Sequence, residues 1–175
     1  MPQPAQNTLK QSDFVAKIGV SATDMGVITT VQLNHVNLCA SDVPALAHTL
    51  ETHFGYRTVD SGTVPDEPWA DNPGSAYAIL VGEDLSDIVI TQIDPVPEGE
   101  SAYPPQFHVG LMQDSADAVH AKHADLVRAG FEPSDVNEGF EVLGATWTAF
   151  YCALGDGLDV EVNHRTHSDL LDGPR

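Results

Sequence analysis

Two histidines head similar apolar runs in this chain: His35 opens HVNL at 35–38, and His108 opens HVGL at 108–111. A carboxylate, Glu161, interrupts a third apolar run between Val160 and Val162. Side chains alternate along a strand, so Glu161 faces away from both valines. Burying a carboxylate there is costly unless it is ion-paired or bound to a metal. Two neutral imidazoles and one carboxylate are the donor set of the facial triad that holds non-haem Fe(II) and leaves positions open for other ligands. A single strand histidine is more often a hydrogen-bonded structural residue, but two at matching positions with an in-facing carboxylate favour a metal site.

The matching positions come from an internal repeat. TTVQLNHVNL alternates as a strand, and the following helix carries Val43, Leu46, Ala47, Leu50 and Phe54 at helical spacing before Gly55 stops it. YRTVDSGTV, SAYAILVG and SDIVITQID then read as three strands set off by Pro, Asp and Gly. After the Pro-rich DPVPEGESAYPP the order returns. QFHVGLM is a strand; a helix follows, capped by Ser115 or Asp114, with Val119, Leu126 and Val127 inward and Gly130 at its end. VNEGFEVLG, TWTAFYCAL and LDVEVNHR complete three more strands.

The predicted layout is an arm at 1–28, a first βαβββ module at 29–94, a linker at 95–105, a second module at 106–166 and a tail at 167–175, the two modules making one structural domain. Each histidine opens the first strand of its module. Glu161 lies in the last strand of the second. Setting SDIVIT beside LDVEVN on Asp87 and Asp159 puts Val89 at the position of Glu161, or Ile90 if the register slips by one. Neither binds a metal, which leaves three protein ligands.

Composition limits the partners. A chain of 175 residues, 42% hydrophobic, suits one compact domain. With 26 acidic residues against 7 basic ones the net charge is −19, which repels nucleic-acid phosphates and anionic membranes. The two cysteines, Cys39 and Cys152, are too few for a disulfide framework and read as reduced, packed thiols. No apolar run is long enough for a membrane helix, and the N-terminus lacks a signal-peptide pattern, so a cytoplasmic location is expected. No dinucleotide fingerprint, Walker loop or nucleophile elbow is present.

This order of motifs resembles the vicinal oxygen chelate superfamily, which includes glyoxalase I, bleomycin-binding proteins, fosfomycin-resistance enzymes and the type I extradiol catechol dioxygenases. The similarity spans residues 30–165. It implies an α+β fold in which the paired βαβββ modules form curved mixed sheets around a metal-binding cleft. Glyoxalase I uses four protein ligands, and Val89 removes the fourth here; bleomycin-binding relatives dispense with the metal. The extradiol enzymes use two His and one Glu. FYCALGDGLDVE at 150–161 is similar to their signature, with Phe150, Tyr151, Gly157 and Glu161 at matching spacing, Gly155 in place of Pro, and Leu154 in place of a polar or small residue. Their histidine shortly before the tyrosine is missing, and Val142, Leu143 and Gly144 occupy its window.

The resemblance is nearest to short extradiol enzymes of the L-DOPA dioxygenase kind, which serve antibiotic and other natural-product pathways. It implies Fe(II) held by His35, His108 and Glu161, a small catechol and O2 as substrates, and a homodimer. Tyr151 would hydrogen-bond a bound substrate oxygen, and His53, His123 or His164 would stand in for the missing histidine as base. Arg57, one of few basic residues, is a candidate for a substrate carboxylate. His123 is otherwise expected against the sheet, with His48 and His120 on solvated helix faces. The alternatives are an oxygen-independent metalloenzyme of the glyoxalase or fosfomycin-resistance type, using Mn, Zn or Ni, and a metal-free antibiotic-binding protein.

Overall fold

The computed structural model describes residues 33–173, apart from 69, 84 and 85. The expected arm at 1–28, the strand start at 29–32 and the end of the tail at 174–175 lie outside the described residues. The first module comprises β1 (His35–Ala40), α1 (Val43–Phe54), β2 (Arg57–Thr63), β3 (Ala76–Val81) and β4 (Asp87–Gln92). The second repeats that order with β5 (His108–Met112), α2 (Ala116–Arg128), β6 (Asn137–Val142), β7 (Ala145–Gly155) and β8 (Leu158–Arg165). Each module forms one four-stranded mixed sheet, ordered β1-β4-β3-β2 and β5-β8-β7-β6. In both, the first strand runs parallel to the last and the other pairs are antiparallel. The expected α+β architecture of paired βαβββ modules is present.

Local chemistry sets the helix ends. Asp42 caps α1 by accepting from the Ala45 amide at 2.9 Å, and Gly55 ends it in the left-handed region at φ 74°. Ser115, rather than Asp114, caps α2 through the Ala118 amide at 3.1 Å. That helix ends at Arg128, and Gly130 takes the positive φ just beyond it.

Strand alternation divides each sheet into two faces. In the first, Leu38, Ala40, Ala78, Leu80, Ile88 and Ile90 pack against Val43, Leu46, Ala47 and Leu50 of α1. In the second, Phe150, Cys152, Val160 and Val162 pack against Val119 and Leu126 of α2. Each large side chain so buried contributes about 1.5–3 kcal/mol. Val127, expected inward, is 51% exposed. The buried stripe of α2 runs from Val119 to Leu126 with His123 between them, and Val127 falls past its edge.

The modules meet through their helix-bearing sides. Leu158 belongs to the first module's core, Phe107, Val109 and Leu154 pack against that core, and Phe54 reaches both cores. Lys122 Nζ of α2 donates to the carbonyl of His53 at the end of α1 at 2.5 Å. Asp156 in the β7–β8 turn accepts from the Ser41 amide at 2.6 Å and from its hydroxyl at 2.8 Å. The linker is strapped down as well: the Tyr103 hydroxyl accepts from the Cys39 amide and donates to the Cys39 carbonyl, both at 2.6 Å. Gly157 lies so close under the linker that a Cβ would come within 1.8 Å of Ser101 Oγ. His35 and Glu161 lie on the opposite faces of their sheets from these helix contacts.

Candidate metal centre

The site builds outward from Glu161. Its strand neighbours in register are Gly110 on β5 and Tyr151 on β7. Since the register of β5 pairs His108 with Asp159, His108, Gly110, Glu161, Asn163 and Tyr151 all project from one sheet face. Three contacts converge on the carboxylate. Tyr151 Oη donates to Oε2 at 2.6 Å, Asn163 Nδ2 donates to Oε1 at 3.0 Å, and His108 Nε2 stands 3.3 Å from Oε2. The His108 ring meets Tyr151 edge-on at 5.3 Å.

The histidine's orientation decides the chemistry. His108 Nδ1 lies 2.9 Å from the carbonyl oxygen of Gln106, an oxygen that can only accept. Nδ1 therefore donates to it, and Nε2 is the nitrogen left facing Glu161. Gln106 holds a left-handed backbone at φ 70° to place that carbonyl, an uncommon conformation for a residue with a side chain. A lone pair and a carboxylate oxygen 3.3 Å apart repel unless a proton or a cation lies between them. The donor set fits a divalent metal: one imidazole and one carboxylate already converge, each held by a second hydrogen bond.

Tyr151 is tuned as a donor. Its hydrogen bond to Glu161, followed by burial, pushes its phenol up to about 12, so it keeps its proton at neutral pH. Asn163 is buried at 5% exposure, and its Oδ1 has no hydrogen-bond partner.

The other predicted residues lie elsewhere. His35 heads β1 on the face away from α1, with Nδ1 at 2.8 Å from Asn34 Oδ1, which leaves Nε2 as the nitrogen free to ligate. Among the described residues, no three His, Cys, Asp or Glu side chains converge within the chain, so His35 does not join His108 and Glu161 there. Val89 pairs with Asn37 as Glu161 pairs with Gly110, and Ile90 is buried in the first core. The alignment on Asp87 and Asp159 therefore has the right register, and the first sheet offers no carboxylate at that position.

The three candidate bases are engaged away from Glu161. His53 packs edge-on against Phe131. His123 lies 3.1 Å from the Ser134 carbonyl and edge-on to Phe150, against the sheet as expected. His164 stands three residues past Glu161 in β8, so alternation turns it to the helix side, where Nδ1 meets the Gln113 carbonyl at 3.0 Å. Arg57 is exposed at the start of β2, in one row across the sheet with Val81, Asp87 and His35. It shares their face, three strands from His35 and about 14 Å away. His120, expected to be solvated, meets Glu138 at 2.9 Å.

Asn163 escaped the sequence reading. The available signal was the alternation itself, since a residue two along from Glu161 must share its face.

No protein-family model matches the sequence, and no curated protein matches it. Solved structures do. A possible glyoxalase from Bacillus cereus is 25% identical, with 76% of this chain and 98% of that chain covered at a TM-score of 0.53. A glyoxylase/bleomycin resistance protein/dioxygenase domain from Frankia sp. EAN1pec is 17% identical over 79% of this chain and 100% of that one, at a TM-score of 0.58. The fosfomycin resistance protein FosX from Listeria monocytogenes, solved with Mn(II) and sulfate, is 17% identical over 79% of this chain and 95% of that one, at a TM-score of 0.55. Also among the described residues, no helix is long and apolar enough to cross a membrane. The doubled sheet order and these likenesses together assign the chain the vicinal oxygen chelate fold.

Proposed function

We propose that this protein is a divalent-metal-dependent enzyme of the kind its glyoxalase and fosfomycin-resistance neighbours represent, acting on a small substrate through adjacent oxygen atoms. One observation carries this: His108 Nδ1 donates to the Gln106 carbonyl, which turns Nε2 to face Glu161 Oε2 at 3.3 Å, close enough for the two to share a proton or a cation. A divalent cation there supplies Lewis acidity and a template for two substrate oxygens. Glu161 Oε2 and His108 Nε2 would hold it. Tyr151, a neutral phenol beside the open face, would turn its single O–H from Glu161 to a substrate oxygen where negative charge gathers.

His35 completes the ligand set from a second copy of the chain. Support comes from the back-to-back packing of the modules, which leaves the His35 and Glu161 faces turned away from the helix contacts within one chain. A homodimer that sets His35 of the partner subunit against His108 and Glu161 answers that arrangement.

A second reading is an Fe(II)-dependent extradiol dioxygenase that opens a catechol such as L-DOPA with O2. The 2.6 Å bond between Tyr151 and Glu161 supports it, because it sets a phenol beside the metal-binding carboxylate as the FYCALGDGLDVE signature implies. Against it, His53, His123 and His164 are all engaged elsewhere, so no second imidazole stands by Tyr151 as base.

One experiment separates these readings. Protein purified anaerobically is assayed for bound metal, then loaded in turn with Mn(II), Ni(II), Zn(II) and Fe(II) and offered a panel of catechols, hemithioacetals and epoxides. Turnover without oxygen uptake supports the first reading. Oxygen uptake with a yellow ring-opened product only in the Fe(II) form replaces it with the second. Ligand binding that survives His108→Ala with no metal bound refutes both.

A further inference from the structure

We propose that Asn163 is a positioning residue that turns Glu161 into a one-oxygen metal ligand, and this rests on the metal-centre reading above. Asn163 Nδ2 donates to Glu161 Oε1 at 3.0 Å, while Oε2 is the oxygen that faces His108 Nε2 and receives the Tyr151 hydroxyl. The amide and the phenol divide the carboxylate between them. Oε1 is tied along the strand, and Oε2 is aimed at the imidazole.

The arrangement leaves a defect that a purely structural asparagine would avoid. Asn163 is buried, and its Oδ1 lacks any partner. Turning the amide over would set Oδ1 against the carboxylate and repel it, so the charge on Glu161 dictates the orientation that orphans the oxygen. A buried acceptor left unpaired calls for a reason of its own, and orienting the carboxylate supplies one.

The first module serves as an internal control. Glu161 pairs with Gly110 and Tyr151, and Val89 pairs with Asn37 and Ile79. By the same registers, Thr91 corresponds to Asn163 and Tyr77 to Ala149. Where the carboxylate is replaced by valine, its phenol and its amide are replaced as well. Glu161, Tyr151 and Asn163 thus occur as a set in the second sheet, and the first sheet, with the same fold and register, stands without any of them.

The test compares the wild-type chain with Asn163→Leu, which keeps the branched shape without the polar atoms, and Asn163→Ala, each alone and combined with Glu161→Gln. Mn(II) affinity is read by calorimetry, and the apo-protein's melting temperature is read separately. Asn163→Leu is expected to lower Mn(II) affinity by about 10–100-fold while the apo-protein melts no lower than wild type. On the Glu161→Gln background the same change should shift Mn(II) affinity less than about two-fold, since the oriented oxygen is already gone. An Asn163→Leu protein that folds and binds Mn(II) as wild type does overturns the positioning role and leaves the metal centre standing. Equal losses on both backgrounds also overturn it, because they reveal a general structural effect. A wild-type chain that binds no divalent metal overturns the metal-centre reading and this inference with it.

Discussion

Tyr151 and Glu161 stand directly opposite each other across β7 and β8, and the phenol donates to the carboxylate at 2.6 Å. The pairing makes Tyr151 the nearest protein hydroxyl to the oxygen that faces His108, and the carboxylate's negative charge holds its proton in place. Ultraviolet titration of the metal-free protein should show one tyrosine ionising at about pH 12, and Tyr151→Phe should lack that step. In the metal-loaded enzyme the same substitution should leave metal affinity nearly unchanged and cut turnover roughly 100-fold. A variant as active as wild type would remove Tyr151 from the chemistry.

Replacing Glu161 tests the centre through stability. In wild type, excess Mn(II) should raise the melting temperature, because a ligand that binds only the folded state stabilises it by mass action. Glu161→Ala should abolish that rise. It also strands the buried Asn163 amide that donates to it, at a cost of about 1–3 kcal/mol in the apo-protein. Denaturant unfolding with and without Mn(II) gives both numbers.

Subunit mixing tests where His35 acts. His35→Ala and Glu161→Ala should each be inactive. Unfolded together and refolded as a mixture, they should regain about a quarter of wild-type activity, since half the dimers are mixed and each mixed dimer carries one intact site. A ligand set closed within one chain would regain none.

Acid sensitivity has a separate source at the C-terminal end. Arg165 holds Asp172 through two hydrogen bonds of 2.7 Å, and this keeps the Asp172 carboxyl far below its usual range. A depressed acid means that the unfolded chain takes up the proton first. The stabilisation is therefore full above the unfolded value of about 3.9 and declines as the pH falls below it. Asp172→Asn should melt lower than wild type at neutral pH, and the gap should narrow below about pH 4. A gap that stays constant through acid would show that Asp172 stabilises by some means other than its charge.

The linker turn offers a test of how the modules are held. Gly157 combines φ 82° with a Cβ position that would lie 1.8 Å from Ser101 Oγ. Gly157→Ala should destabilise the chain by about 1–3 kcal/mol through backbone strain alone, with more from the displaced linker. Gly99, at φ 82° with open space around it, should show only the strain part on the same substitution. Equal losses at both positions would mean that the linker does not press on the β7–β8 turn.

Local rules carried much of this molecule. The period-two alternation around Glu161 placed it opposite Val160 and Val162, and the repeat of HVNL as HVGL identified two first strands whose register with β4 and β8 proves equivalent. Both depend only on near neighbours in the chain, so they were legible in the residue order. The acid–base partners were not. Alternation already turned His164 from the face of Glu161, but only the packing turned His53 and His123 toward Phe131 and Phe150. The value of Asn163 was equally hidden, because it lies in a hydrogen bond to one particular oxygen and in an acceptor left without a partner. Sequence determined which side chains share a strand face, since covalent geometry alternates them regardless of context. Tertiary structure decided which of them meet, because the two modules pack through their helices and turn the faces bearing His35 and Glu161 away from those contacts.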